Sequence, residues 1–259
     1  MRWFLLSVLF AATAHAQEIV KLNTRPGVTQ SFFIASMGAV KPEAAALLFI
    51  GGGGNIRLRM EEGQPKFGAL NFLPRSRGEF IRNGILPVIM DNPGDQQTAS
   101  GMSDAFRESE AHAADVRATV AEVKRRYPGL PVFLVGTSRS TISMAHLSKR
   151  MGAEVAGAVL SSSMWRLGRG PALASFDWSE AKAPLLFVHH REDACGSTSY
   201  QDIPRATAAF PLVSVKGGKP PESGPCDPLH AHGFYGREPE TVDAIAAWML
   251  KKPFRKEID

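Results

Sequence analysis

Pro131-Val132-Phe133-Leu134-Val135-Gly136-Thr137-Ser138-Arg139-Ser140 is the stretch on which the reading of this chain turns. Val132 to Val135 have the apolar, β-branched character of a strand buried on both faces. A turn of small residues follows, Gly136 to Ser140, with Ser138 at its centre. Thr141 to Arg150 then reads as a helix, with Ile142, Ala145 and Leu147 set among polar positions. A serine on a sharp strand-to-helix turn holds its Oγ clear of the sheet. That geometry calls for small residues two positions to either side, so that strand and helix pack closely.

Outward from this unit the same alternation repeats. Glu18–Asn23 and Gln30–Ser36 read as a hairpin about Arg25-Pro26-Gly27. Ala45–Ile50 is an apolar strand ending in four glycines, Gly51 to Gly54. Phe80–Asn83 ends a helix, and Ile85–Met90 is a buried strand. Ser109–Tyr127 is an amphipathic helix stopped by Pro128-Gly129. Val155–Leu160, Pro184–His189 and Leu212–Lys216 are further strands; Ile203–Phe210 and Glu238–Lys251 read as helices. Strands alternating with helices predict an α/β fold, a mostly parallel central sheet with helices on both faces. In such sheets ligands bind beyond the carboxyl ends of the strands.

Gly136-x-Ser138-x-Ser140 resembles the Gly-x-Ser-x-Gly elbow of the α/β-hydrolase family, with Ser140 where the family has its final glycine. The resemblance extends over the chain from residue 17 to 259 and implies a single domain of that fold. It implies Ser138 as nucleophile, followed in chain order by an acid and a histidine. The strand Pro184–His189 runs into His190-Arg191-Glu192-Asp193, and Asp193 fits the acid best. Glu192 is adjacent but points differently, and Asp202 has the simpler reading of a helix cap. Near the end, His232-Gly233-Phe234 matches the family's base loop and His230 does not, which leaves His230 as a pocket neighbour. His112 and His146 fall within helices. His189 and His190 end a strand; a zinc site with His230 and His232 lacks the spacing of hydrolytic zinc motifs.

The family's oxyanion donors map onto the N–H of Arg139 and the glycine run, with Gly53 as the choice there and Gly52 and Gly54 beside it in the pocket. Ile50-Gly51-Gly52-Gly53 resembles the His-Gly-Gly-Gly loop of lipases and esterases but lacks its histidine. A phosphate cradle is disfavoured because no Gly-Lys-Ser/Thr follows. Met164–Ala183 occupies the place of a cap. Insertions of this length, about twenty residues, leave the pocket accessible. Trp165 within it is open to two readings, lining the substrate site or packing on the sheet.

Met1 to Ala16 has the form of a secretion signal, with Arg2, an apolar run over Trp3–Ala12 and Ala14-His15-Ala16 as cleavage site. The apolar run is shorter than the ~20 residues that span a bilayer. An exported protein, periplasmic or secreted, is therefore expected, without a membrane span after cleavage. In that setting the two cysteines, Cys195 and Cys226, are expected to pair. Asp193 and His232 then lie on two loops tied by one bridge. The composition, 44% hydrophobic and 21% charged, is that of a globular protein. The net charge of +5 is scattered, with no groove-reading motif, so no nucleic-acid partner is expected.

Together these readings predict a serine hydrolase that cleaves a small carboxylic ester through an acyl-enzyme, with no cofactor and no metal. Two alternatives stay open, a peptidase or amidase of the same fold and a non-catalytic binding protein built on it.

Overall fold

The alternation of apolar strands and amphipathic helices folds into one twisted sheet with helices on its two faces. The computed structural model describes residues 17–69, 71–166, 172–203 and 207–259. The expected leader, Met1 to Ala16, lies outside the described residues. So do residues 167–171 of the cap-like segment and 204–206 of the expected Ile203–Phe210 helix.

The strands are β1 (Glu18–Arg25), β2 (Val28–Ile34), β3 (Ala44–Phe49), β4 (Arg59–Glu61), β5 (Gln64–Lys66), β6 (Ile85–Met90), β7 (Val132–Thr137), β8 (Gly157–Ser161), β9 (Leu185–His190), β10 (Leu212–Val215) and β11 (Glu257–Ile258). The helices are α1 (Phe72–Arg75), α2 (Arg77–Arg82), α3 (Asp104–Arg107), α4 (Glu110–Arg126), α5 (Ser140–Met151) and α6 (Glu238–Met249). Among the described residues the sheet runs β1-β2-β6-β3-β7-β8-β9-β10-β11, with β4 and β5 paired separately as a small hairpin. β1, β2 and β6 pair antiparallel in turn; from β6 to β11 every pairing is parallel.

The order contains a reversal. From β3 the chain crosses to β6 on one side, then returns to β7 on the other. In an open α/β sheet the loops at such a switch point diverge and leave a crevice between them. Here those loops are the glycine run after β3 and the Ser138 turn after β7. The register sets Phe49 beside Gly136, and Thr137 beside Ser161.

Side-chain alternation along the strands feeds two apolar layers. Leu47, Leu134 and Leu160 join Val116, Val120 and Leu147 on the face covered by α4 and α5. Leu48, Val135 and Val159 join Phe80, Val242 and Ile245 on the face covered by α2 and α6. α4 begins where the Ser109 hydroxyl accepts the His112 N–H at 3.2 Å, a cap that contributes about 1 kcal/mol. Three basic residues, Lys124 to Arg126, fill its last turn, where the helix dipole favours them.

Candidate active site

β7 ends with Thr137, and Ser138 turns the chain at φ +57°, a left-handed conformation that costs a non-glycine residue about 1–3 kcal/mol. Three bonds hold it there. Its N–H donates to Ser161 O at 2.9 Å, and its carbonyl accepts the Thr141 N–H at 2.9 Å and the Thr141 hydroxyl at 2.6 Å. A Cβ on Gly136 would stand 2.6 Å from Met144 Cγ and 2.9 Å from Ser140 O, so only glycine lets the helix fold back on the strand. At the fifth position Ser140 is wholly buried and its hydroxyl is fully used. It donates to the Ile50 carbonyl and accepts from Arg107 Nη1 at 3.1 Å.

The glycine run meets this turn through Gly51, where an added Cβ would lie 2.9 Å from Ser138 Cβ. Gly54 N–H closes the run by donating to Gly51 O at 3.2 Å. Gly52, at φ +60°, is exposed and its carbonyl accepts Arg107 Nη2 at 3.0 Å. The α-carbon of Gly53 faces Ser100, and its carbonyl accepts Met102 N and Asn92 Nδ2, both at 2.9 Å. Gly54 is the last of the four glycines. It is buried and lines an internal cavity of about 10 Å³ with Asn92, Met102 and His112.

Beyond β9, Asp193 is folded back under its own loop. Its Oδ1 accepts the Cys195 N–H at 3.0 Å, and its Oδ2 accepts the Thr198 hydroxyl at 2.8 Å and lies 3.0 Å from His232 Nδ1. The two side chains are 0% and 5% exposed, so their attraction is little screened. His232 rides on a short turn, Ala231–Gly233, capped by Phe234 at φ +56° against Phe72. Its carbonyl accepts the Ser162 hydroxyl at 2.8 Å. The end of β8 therefore touches both sides, Ser161 holding the Ser138 N–H and Ser162 holding His232. Among the described residues, no hydrogen bond joins the Ser138 hydroxyl to the His232 ring.

The rivals have other engagements. His230 supports the turn with its carbonyl, which accepts the N–H groups of Gly233 and Tyr235. Glu192 accepts the Gly217 N–H at 3.2 Å, and Asp202 pairs with Arg166 at 2.9 Å. His189 Nε2 accepts the Ser163 N–H at 3.0 Å. Burial pulls its pKa down to about 3 against the pull of the Asp193 charge, with His232 adding to the lowering. His190 Nε2 lies 2.9 Å from Gly217 O. Among the described residues no three His, Cys, Asp or Glu side chains are gathered as a metal set.

Trp165 takes the second of its two readings. It is 1% exposed, stacked on Phe187 and His189 and tilted against Trp178. Cys195 and Cys226 are bridged, with an S–S distance of 2.00 Å. Three contributors escape a reading by motif: Thr198 between Asp193 and His232, Ser162 behind the base loop, and Arg107 behind the glycine run. None has a neighbour in sequence that announces its contact.

The family model described as serine aminopeptidase, S33 (Hydrolase_4) matches residues 75–219, more than half of the chain, and includes Ser138 and Asp193. The chain belongs to that family. S33 membership makes it a serine hydrolase and agrees with the α/β-hydrolase fold of the sheet. Solved structures resemble it over nearly its whole length. Est1E from Butyrivibrio proteoclasticus has 12% identity and a TM-score of 0.60, over 90% of this chain and 99% of its own. An esterase of Pyrococcus furiosus, PF2001, has 14% identity and a TM-score of 0.61, over 92% and 91%. XC6422 from Xanthomonas campestris, described as an α/β serine hydrolase without lid, has 14% identity and a TM-score of 0.56, over 95% and 97%. At these identities the likeness is one of fold. No curated protein matches the chain in sequence.

Proposed function

We propose that this S33-family chain hydrolyses a small carboxylic ester through an acyl-enzyme, with Ser138 as nucleophile, His232 as base and Asp193 as the acid that orients it. The observation that carries the reading is the contact of His232 Nδ1 with the closed-off Asp193 carboxylate at 3.0 Å. That contact leaves Nε2 free to take a proton. In the reaction Ser138 Oγ bonds to the ester carbon and its proton passes to Nε2. The oxyanion formed is held by the N–H groups of Arg139 and Gly53. Collapse expels the alcohol, which leaves with the proton from the imidazolium. Water then repeats the sequence on the acyl-enzyme and releases the acid.

The bridged cysteines support a working place in an oxidising compartment, in line with the expected leader. The family description favours one other reading, an aminopeptidase, which needs a free carboxylate for the substrate ammonium. Asp104 beside the elbow is engaged by Arg139, and Asp91 accepts the N–H groups of Ile56, Leu58 and Asn92. Those engagements favour the ester.

A fluorophosphonate probe should label the purified protein, and p-nitrophenyl acetate should be turned over faster than leucine p-nitroanilide. Ser138→Ala should abolish labelling and turnover together. Undiminished turnover by that variant sinks the proposal, and a preference for the anilide transfers it to the aminopeptidase reading.

A further inference from the structure

Arg107, the last residue of α3, is 0% exposed. A guanidinium so deeply buried ordinarily meets a carboxylate. This one meets hydroxyls and a peptide. Nη1 donates to Ser140 Oγ at 3.1 Å and Ser143 Oγ at 3.3 Å, Nη2 donates to Gly52 O at 3.0 Å, and Nε has no partner among the described residues. Asp104, on the same short helix, is taken by Arg139 through two bonds of 2.7 and 3.0 Å. Burial, then the Arg139 charge, lowers the Arg107 pKa to about 10, with Asp104 opposing. At neutral pH the group keeps its charge.

A desolvated cation to which, among the described residues, no carboxylate hydrogen-bonds opposes folding. Such features persist where a site uses them. The location is specific, since the bonds of Arg107 join the glycine run to the first turn of the elbow helix.

We infer that Arg107 is a positioning residue that holds the Gly52–Gly53 peptide as an oxyanion donor, an inference that rests on the hydrolase reading above. The peptide is planar and trans. With its Gly52 carbonyl drawn to Arg107, its Gly53 N–H faces the opposite way. A carbonyl bound by a cation polarises its own peptide, which makes that N–H a stronger donor. The Gly53 carbonyl is tethered as well, by Met102 and Asn92, so the donor is fixed from both ends before substrate arrives. As negative charge grows on the substrate oxygen, the buried positive charge behind the peptide favours it. Ser140 in place of the family's glycine supplies the acceptor that locks Arg107, and its hydroxyl passes the chain of bonds on to Ile50. The departure from the elbow motif and the buried cation are thus two halves of one arrangement.

Arg107→Met and Arg107→Lys test this with p-nitrophenyl acetate as substrate and a trifluoromethyl ketone as mimic of the tetrahedral adduct. Rates are normalised to sites titrated by fluorophosphonate. For Arg107→Met, kcat should fall about 10- to 100-fold with KM within about twofold, and the ketone should weaken by the same factor as kcat/KM. Arg107→Lys keeps the charge but not the fork, and should fall between Met and wild type. If the Met variant does not fold, the Lys variant carries the test through the same kcat and ketone measurements. A rise in KM at unchanged kcat, or a lower rate at unchanged ketone affinity, overturns the inference. Failure of the wild-type protein to label at Ser138 overturns the hydrolase reading instead, so the two failures are distinct.

Discussion

Ser162 donates its hydroxyl to the carbonyl of His232 at 2.8 Å, while Ser161, one residue earlier, accepts the backbone N–H of Ser138 at 2.9 Å. Two consecutive residues at the end of β8 thereby fix the relative position of the proposed nucleophile and base. Ser162 itself sits at φ +45° and is fully buried, a strained conformation that aims its side chain at the base loop. Ser162→Ala should lower kcat about tenfold through looser placement of His232. The thermal midpoint should stay near wild type, since one hydrogen bond contributes about 1 kcal/mol. Steady-state kinetics beside a melting curve decide the matter, and equal losses in both would reduce Ser162 to a core residue.

The two late histidines should separate cleanly. His232→Ala is expected to match Ser138→Ala, about 10⁴- to 10⁶-fold down in kcat, because members of such a unit fail together. His230→Ala should stay within about tenfold of wild type, as its role runs through its backbone carbonyl. Turnover of p-nitrophenyl acetate by the two variants gives the ranking. The reverse order would move the base to His230.

Much of this was legible in the residues. The strands are short apolar runs between turn signals, so β3, β6, β7, β8 and β9 stand within a residue or two of their expected places. The family resemblance singled out Asp193 and His232, whose side chains the fold brings to 3.0 Å of each other. The Arg107 contacts were illegible for a physical reason. They join residues 33 and 55 positions apart, and a lone arginine on a polar segment reads as surface. The β4–β5 hairpin has too few apolar residues to signal a strand by period. Trp165 was ambiguous because enclosure by Phe187, His189 and Trp178 is set by tertiary packing.

Two buried histidines should give the fold an acid limit. Burial lowers both His112 and His189 to about 3, from an ordinary 6.5; the charges of Arg107 and Arg25 push His112 the same way. Both folded values lie below the unfolded one. The unfolded chain therefore binds more protons between these values, and stability is lost as pH falls below about 6.5, at up to ~1.4 kcal/mol per pH unit for each histidine. His112 is the cleaner probe, since among the described residues neither ring nitrogen has a hydrogen bond and the ring packs on Phe49 and Phe106. His112→Phe should flatten the fall of melting temperature between pH 6 and pH 4 by roughly that one-histidine slope. Parallel curves for variant and wild type would mean that His112 is not held neutral.

The Cys195–Cys226 bridge should matter to the site before it matters to the sheet. Cys195 is buried, its N–H holds Asp193 Oδ1, and its carbonyl accepts the Thr198 N–H. Cys226 precedes the base loop by only a few residues. The bridge thus anchors the acid loop to the chain that carries His232. Closing a loop of sequence separation 31 stabilises the fold by about 3–4 kcal/mol on the chain-entropy model. The parallel strands from β3 to β9 draw their stability from burial on both faces and do not depend on it. Under graded reductant, hydrolysis of p-nitrophenyl acetate should therefore fall several-fold while far-UV circular dichroism is unchanged, with the folded signal lost only at higher temperature or denaturant. Cys226→Ser should reproduce the reduced enzyme and be indifferent to reductant. Activity and dichroism falling together would tie the bridge to global stability alone, and full activity in Cys226→Ser would remove it from the placement of Asp193 and His232.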